Sequence, residues 1–213
     1  LIGGSTWGPQ DRDDSIAALH AALDCGVNFF DTAPLYGDGS SEELVGQVLG
    51  PHRNDVVIAT KLNDLAPHAV KRQCEASLRR LGTDRIDLYQ IHWPRADWKP
   101  EATIGALEEL RQAGKIRAVG VSNFGVSYMR EAMAAGRFES NQLSYSLLWR
   151  AIEHEVQPLC AANDVSILCY SPLYQGLLTG KFASADDVPE GRARTRLFSG
   201  KRPQARHGES GCE

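Results

Sequence analysis

Four polar residues that follow short apolar runs could together carry out proton transfer. Asp31 ends the run VNFFD, Lys61 ends VVIATK and His92 ends IDLYQIH. Tyr36 follows Asp31 by five residues. A lysine that ends a buried run needs an anion nearby, because an unpaired ammonium is costly to remove from water. We therefore expect Asp31 to pair with Lys61.

The combination of residue types favours general acid catalysis. An ammonium beside a phenol stabilises the phenolate, so Lys61 should lower the pKa of Tyr36 from about 10 toward neutrality. Tyr36 could then give a proton to a carbonyl oxygen and take it back, and His92 could orient that oxygen by a hydrogen bond. Taken alone, each residue is also typical of a structural role. It is their occurrence on three successive strands that favours a catalytic one.

Other catalytic chemistries lack their motifs in this sequence. There is no HxxxH pair, acidic cluster or facial-triad spacing to hold a metal ion, and no GxSxG nucleophile motif. The sequence therefore predicts no metal site. Proton delivery to a carbonyl, paired with a hydride from a cofactor, is the reaction that these residues favour.

Repeating strand and helix patterns position these residues. Apolar, β-branched runs predict strands at 27–32, 56–61, 86–92, 116–122, 138–143 and 165–170, and amphipathic stretches predict helices at 12–23, 41–49, 67–81, 101–114, 125–136 and 151–162. Strands that alternate with helices indicate right-handed crossovers and a parallel sheet. A doubly wound open sheet and a (β/α)8 barrel both fit this order. The regular spacing and the absence of GxGxxG favour the barrel, of which about six of the eight units are countable.

Two further predictions concern the start of the second helix and the polar residues at the ends of the later strands. Ser40–Ser41–Glu42–Glu43 is typical of a capping box and predicts the start of the second helix. In a barrel, the carboxyl ends of the strands meet on the catalytic face. The polar residues at the ends of the later strands are therefore expected on this face. They are Ser122, Asn123, Gln142 and Tyr170.

The segment 171–181, SPLYQGLLTGK, combines glycines, hydroxyls and a lysine, as barrel phosphate sites often do. An ordinary surface loop is the alternative. Tyr170, just before it, offers a flat ring on which a nicotinamide could stack. Trp7, Trp93 and Trp149 could line an apolar substrate pocket, although burial explains each of them equally well.

Composition narrows the class of protein. Lys and Arg number 23 against 27 Asp and Glu, a net charge of −4 that argues against a nucleic-acid binder. No apolar run reaches the roughly 18 residues of a membrane span. The five cysteines are scattered without CxxC spacing and predict reduced thiols in a cytoplasmic protein. Residues 1–213 are expected to form a single domain that ends in a polar, Arg-rich segment over 183–213.

Five segments resemble the aldo-keto reductase family. They are GVNFFDTAPLYGDGSSEELVG (26–46), VVIATK (56–61), DLYQIHWP (87–94), GKIRAVGVSNF (114–124) and YSPL with GLLTGK (170–181). The resemblance runs through nearly the whole chain. It implies a (β/α)8 barrel that reduces an aldehyde or ketone to an alcohol with NADP(H) and without a metal.

The resemblance also implies roles for individual residues. The catalytic tetrad would be Asp31, Tyr36, Lys61 and His92, with Tyr36 as proton donor. The nicotinamide carboxamide would be held by Ser122, Asn123 and Gln142, with Tyr170 stacked on the ring. The pyrophosphate would be bordered by Ser171, Leu173, Gln175 and Lys181.

Parts of a typical member are expected to lie outside this sequence. Members usually begin with a short strand before the position of Leu1 and continue past Glu213 with a helix, an eighth strand and further helices. The chain would then be about two thirds of a member, which leaves the substrate, the oligomeric state and the choice between NADPH and NADH open.

Two alternatives to a carbonyl reductase stay open. One is an NADPH-binding regulatory module similar to potassium-channel β-subunits, and the other is a barrel isomerase that uses the Lys–Asp pair.

Overall fold

Six parallel strands form a single curled sheet in the computed structural model, which describes residues 10–183 and residue 187. The strands are β1 (Phe29–Asp31), β2 (Val57–Leu62), β3 (Ile86–Ile91), β4 (Ile116–Ser122), β5 (Ser140–Ser144) and β6 (Ser166–Tyr170). Each strand pairs in parallel with the next one in chain order. A doubly wound sheet reverses its strand order at a switch point, so the unbroken order confirms the prediction of a partial (β/α)8 barrel.

Six α-helices alternate with the strands in the described part of the chain. They are α1 (Arg12–Asp24), α2 (Ser40–Leu49), α3 (Pro67–Leu81), α4 (Pro100–Gln112), α5 (Val126–Ala135) and α6 (Val156–Ala162). Strand and helix bounds agree with the predicted ones within two residues, except at α6. The predicted span 151–162 is divided there into a 3₁₀ turn, Ala151–Glu153, and a short helix. Pro158 lies in the first turn of this helix, where its missing N–H is tolerated.

The core combines the sheet with the inward faces of the helices. The central strand β3 is buried along its whole length, as expected for a parallel strand that is covered on both faces. The predicted apolar stripe of α4, Ile104, Leu107 and Leu110, is buried in the same core, where α4 packs against β4. None of the described helices is long and apolar enough to cross a membrane.

The start of α2 corrects one prediction. Its N-cap is Gly39, at a left-handed φ of 93°, and no side chain among the described residues caps the helix, so the predicted capping box over 40–43 is wrong. Glu42 is fully buried and accepts hydrogen bonds from Thr60 Oγ1 and Arg80 Nε, both at 2.6 Å. A buried carboxylate needs such partners. Glu42 therefore forms tertiary contacts with β2 and α3 and is not part of a cap at the start of α2.

Asp87 ties three strands together near their amino ends. Its carboxylate accepts from the backbone N–H of Ile58 at 2.9 Å, from Arg53 at 2.7 Å and from Arg117 at 3.1 Å. We expect Asp87→Asn to lower the free energy of unfolding by about 1–3 kcal/mol, because it neutralises the acceptor of a buried charged group. Denaturant titration measures this loss. The matched variant Asp97→Asn changes an exposed ion pair and should leave the unfolding midpoint unchanged, so equal shifts in the two variants would contradict the expectation.

Candidate active site

The ends of β1 and β2 bring a lysine into contact with a carboxylate and a phenol. Nζ of Lys61 donates to Asp31 Oδ2 at 2.6 Å, to the carbonyl oxygen of Thr32 at 2.8 Å and to the hydroxyl oxygen of Tyr36 at 3.4 Å. Three acceptors match the three N–H groups of an ammonium. The Lys61 side chain is 1% exposed and that of Asp31 is 27% exposed. The expected pairing of Asp31 with Lys61 is confirmed, and Tyr36 joins it.

A second donor holds the other oxygen of Asp31. Gln90 Nε2 donates to Asp31 Oδ1 at 3.0 Å. Gln90 lies opposite Lys61 in the register of β2 and β3 and two residues before His92. Alternate residues of a strand share a face of the sheet, so the spacing from His92 could have indicated that Gln90 lies beside the predicted site residues. It was not among the predicted site residues.

His92 completes the cluster from the end of β3. Its ring lies edge-on to the ring of Tyr36, with centroids 6.0 Å apart and an interplanar angle of 84°. Its Nδ1 lies 3.0 Å from Oδ1 of Asn63, a second contact that the sequence did not predict. All four predicted polar residues therefore meet in one place. Within the described part of the chain, no three His, Cys, Asp or Glu side chains gather into a possible metal site.

Burial controls protonation in this cluster. Burial raises the pKa of Tyr36 well above its usual value, and the Asp31 carboxylate adds to the effect. The predicted shift of this pKa toward neutrality is wrong, because burial and the Asp31 carboxylate outweigh the Lys61 ammonium, whose contact with the phenol is long at 3.4 Å. Burial also lowers the pKa of Lys61, which Asp31 partly offsets. Tyr36 consequently keeps its proton at neutral pH.

The buried imidazole of His92 makes stability depend on pH. Burial, with a contribution from the Lys61 charge, lowers the pKa of His92 to about 4, whereas the unfolded value is about 6.5. Between these values the unfolded chain binds a proton that the folded chain does not, so the free energy of unfolding rises with pH in this window. We expect acidification from about pH 7 to about pH 4 to remove on the order of 3 kcal/mol through His92.

Denaturant titrations at the two pH values measure this contribution. The unsubstituted chain should lose more stability on acidification than His92→Gln does, since only the former must protonate a buried ring. His154→Gln, at an exposed histidine, serves as the matched control and should behave like the unsubstituted chain. Equal losses in the chain and in His92→Gln would show that His92 does not carry this dependence.

A second polar cluster lies at the ends of β4, β5 and β6. Asn123 Nδ2 donates to Ser122 Oγ at 3.0 Å and to the carbonyl oxygen of His92 at 3.1 Å. The hydroxyl of Tyr170 donates to Asn123 Oδ1 at 2.8 Å, and Ser122 Oγ donates to the carbonyl oxygen of Gln142 at 3.0 Å. The φ of Asn123 is 64°, a left-handed conformation that asparagine adopts more readily than most residues. The bond from Asn123 to His92 joins the two clusters.

The segment after β6 carries the other predicted site residues. Ser171 and Gln175 have left-handed φ values of 54° and 55°. Leu173 is 55% exposed, and Lys181 is also exposed. Among the described residues, no hydrogen bond joins the side chains of these four to either cluster. The structure therefore places them at the same end of the sheet without connecting them to the clusters.

The tryptophans lie in different surroundings. Trp93 is 50% exposed, and its ring stacks against that of His92 with centroids 6.3 Å apart. Trp149 makes an edge contact with Tyr174 at 5.3 Å. Trp7 lies outside the described residues, as does the predicted polar segment over 183–213 apart from residues 183 and 187.

Comparisons with known proteins point to one family. The family model described as Aldo/keto reductase family matches residues 2–206. An aldo-keto reductase of Bacillus subtilis (strain 168) is 43% identical over 192 residues, which cover 84% of this chain and 58% of the relative. The NADH-specific methylglyoxal reductase of Escherichia coli (strain K12) is 38% identical over 221 residues, which cover 92% of this chain and 68% of the relative.

A solved structure agrees with these relatives. An aldo-keto reductase from Klebsiella pneumoniae in complex with NADPH matches with a TM-score of 0.75 and 38% identity, over 82% of this chain and 64% of that one. The present chain thus spans 58% to 68% of the length of these three proteins. The family model covers both polar clusters and the strands that position them. This chain belongs to the aldo-keto reductase family.

Proposed function

We propose that the protein containing this chain is an NADP(H)-dependent oxidoreductase that reduces an aldehyde or ketone to an alcohol. The observation that carries the proposal is the contact set of Lys61, which donates to both Asp31 and Tyr36 beside His92. This arrangement brings together a protonated phenol, a cation that contacts it and an imidazole. Membership of the aldo-keto reductase family supports the same reaction.

Each member of the cluster has its own proposed role. Tyr36 keeps its proton at neutral pH and donates it to the carbonyl oxygen. Lys61 holds the phenol and stabilises the phenolate that remains, while Asp31 holds Lys61. His92 is neutral at pH 7 and orients the carbonyl oxygen by a hydrogen bond. Bound NADPH supplies the hydride for the carbonyl carbon, so the products are the alcohol and NADP⁺.

The second cluster suits the carboxamide of a nicotinamide. That group needs donors and acceptors together, and the hydroxyl of Ser122 and the carboxamides of Asn123 and Gln142 offer both. Within the described residues the Gln142 side chain makes no hydrogen bond, so it is available to a ligand. We propose that Tyr170 stacks on the nicotinamide ring. The residues proposed to border the pyrophosphate are Ser171, Leu173, Gln175 and Lys181.

NADP(H) is the proposed form of the cofactor. The Klebsiella pneumoniae neighbour was solved with NADPH, whereas the Escherichia coli relative is described as NADH-specific.

We also propose a cytoplasmic location, which four free thiols support: Cys25, Cys74, Cys160 and Cys169.

A small-molecule carbonyl with an apolar portion is the proposed substrate. Six of the large apolar side chains that are exposed lie on loops that follow strands, at the catalytic end of the sheet. They are Leu35, Trp93, Leu147, Leu148, Leu173 and Leu177. Ligand pockets combine such apolar surface with a few polar groups that fix orientation.

An NADPH oxidation assay with a panel of aldehydes and ketones tests the proposal. We expect NADPH to be consumed with at least one carbonyl, with formation of one alcohol per NADPH. A parallel series with NADH decides the form of the cofactor. NADPH binding without consumption for any carbonyl would contradict the proposal and favour a regulatory module instead.

A further inference from the structure

The loop between β2 and α3 holds a carboxamide against His92. Oδ1 of Asn63 lies 3.0 Å from Nδ1 of the ring. Gln73 of α3 fixes this loop, because its Oε1 accepts from the backbone N–H of Asn63 at 3.0 Å and of Asp64 at 3.2 Å, and its Nε2 donates to the carbonyl oxygen of Asp64 at 2.7 Å. The backbone of Asn63 therefore has a fixed place from which its side chain reaches Nδ1.

This contact determines what the other ring nitrogen can do. The imidazole is neutral at pH 7 because burial lowers its pKa to about 4, and a neutral imidazole carries one proton. An acceptor at Nδ1 draws the proton there and leaves Nε2 as an acceptor, whereas a donor at Nδ1 leaves the proton on Nε2. Among the described residues Nε2 has no hydrogen-bond partner, so it is the nitrogen left for a ligand.

A carboxamide can present either atom to Nδ1. A half-turn about χ2 of Asn63 exchanges its Oδ1 and Nδ2 while the backbone stays in place. Nδ2 makes no hydrogen bond within the described part of the chain that would oppose this exchange. A carboxylate at this position could only accept. Asparagine therefore permits the state in which Nε2 is a donor, and aspartate excludes it.

We propose that Asn63 is a positioning residue that selects the tautomer of His92, presenting Nδ2 to Nδ1 during carbonyl reduction so that Nε2–H points at the substrate oxygen. The inference rests on the proposed reductase function. In the part of the chain that the structure describes, the charged or titratable groups that face His92 are Lys61, Asp31 and Tyr36. None of these makes a hydrogen bond to Nδ1 in the described structure, so Asn63 controls that atom.

Two substitutions at this position separate tautomer selection from a packing role. Asn63→Asp should pin the proton on Nδ1 and lower kcat at about pH 8 by about 10²-fold, the usual cost of losing one donor to a developing oxyanion. Asn63→Leu removes the contact but leaves Nε2–H possible, so it should lower kcat by only about tenfold. A packing role predicts the reverse order, because aspartate has nearly the shape of asparagine and leucine lacks its polar atoms.

The pH profile of Asn63→Asp gives a second signature. A carboxylate beside the ring raises the pKa of His92, and the imidazolium carries protons on both nitrogens. The loss in kcat should therefore shrink from about 10²-fold at about pH 8 to less than about tenfold at about pH 5.5. A loss that stays constant over this range would count against the proposal.

Nitrogen NMR of the ¹⁵N-histidine-labelled chain reads the tautomer without turnover, with His92 assigned through His92→Gln. At about pH 8, Asn63→Asp should show the proton on Nδ1 alone, Asn63→Leu should show both tautomers, and the charge control Asp64→Asn should match the unsubstituted chain in tautomer and kcat. The proposal is overturned if the ring signals of Asn63→Asp and Asn63→Leu both match those of the unsubstituted chain, or if Asn63→Leu loses more activity than Asn63→Asp. If the unsubstituted chain reduces no carbonyl while the ring signals change as expected, the reductase function fails and tautomer selection by Asn63 stands.

Discussion

Tyr36→Phe is expected to lower kcat for carbonyl reduction by at least about 10²–10⁴-fold, because it removes the general acid. Stability and NADPH affinity should stay close to those of the unsubstituted chain. Among the described residues the hydroxyl makes only the long 3.4 Å hydrogen bond with Lys61, so its loss leaves the pairing of that lysine with Asp31 intact. Steady-state kinetics and a cofactor fluorescence titration measure the two effects separately.

Tyr89→Phe provides the matched control for this substitution. Tyr89 is fully buried on β3, and its hydroxyl has no hydrogen-bond partner in the described structure. Removing that hydroxyl should leave kcat within about twofold of the starting value, since no group that the reaction uses is lost. If Tyr36→Phe also kept activity within about threefold, Tyr36 would not be the proton donor.

Lys61→Met is expected to reduce activity and stability together. Methionine is similar in length, but within the described structure it leaves Gln90 as the remaining side-chain donor to the Asp31 carboxylate. The carbonyl oxygen of Thr32 loses the hydrogen bond from Lys61 as well. Breaking a buried ion pair from one side costs roughly 3–5 kcal/mol. The lower end of that range is expected, because the Asp31 side chain is 27% exposed. Chemical denaturation measures the loss, and NADPH oxidation should fall below detection.

Two further variants test whether the pair causes the loss. Adding Asp31→Leu to Lys61→Met removes the orphaned charge and should recover part of the stability but none of the activity. Lys71→Met removes a lysine that is half-exposed and paired with Glu109, and it should cost less than about 1 kcal/mol. If Lys61→Met unfolded at the same denaturant concentration as the unsubstituted chain, the Lys61–Asp31 pair would contribute nothing to the fold.

The order and bounds of the elements were predictable from sequence because they depend on local periodicity. The apolar run of β3 and the stripe Ile104, Leu107 and Leu110 on α4 lie where the sequence predicted them. Three polar residues at the ends of β1 to β3, with Tyr36 in the first loop, could be grouped for a topological reason. Parallel strands joined by helices all end on the same side of the sheet.

The predicted capping box over 40–43 is wrong because a local pattern does not show whether its acidic residue is buried by distant parts of the chain. The burial of Glu42 required Thr60 and Arg80 as partners, and neither is close in sequence. The pKa of Tyr36 went in the direction opposite to the prediction for a similar reason. Desolvation depends on everything that surrounds the hydroxyl, whereas the sequence indicated only that a lysine would be near.

From the sequence alone, residue types and spacing favoured a parallel partial barrel and grouped Asp31, Tyr36, Lys61 and His92, and the resemblance of five segments indicated the family. Only the tertiary structure decided which atoms these side chains use. It showed that Gln90 holds the second oxygen of Asp31 and that Asn63 contacts Nδ1 of His92. Carboxamides occur throughout a sequence and carry no charge that demands a partner. Their hydrogen bonds are therefore set by distances and angles of a few tenths of an ångström, which exist only once the strands and loops have packed.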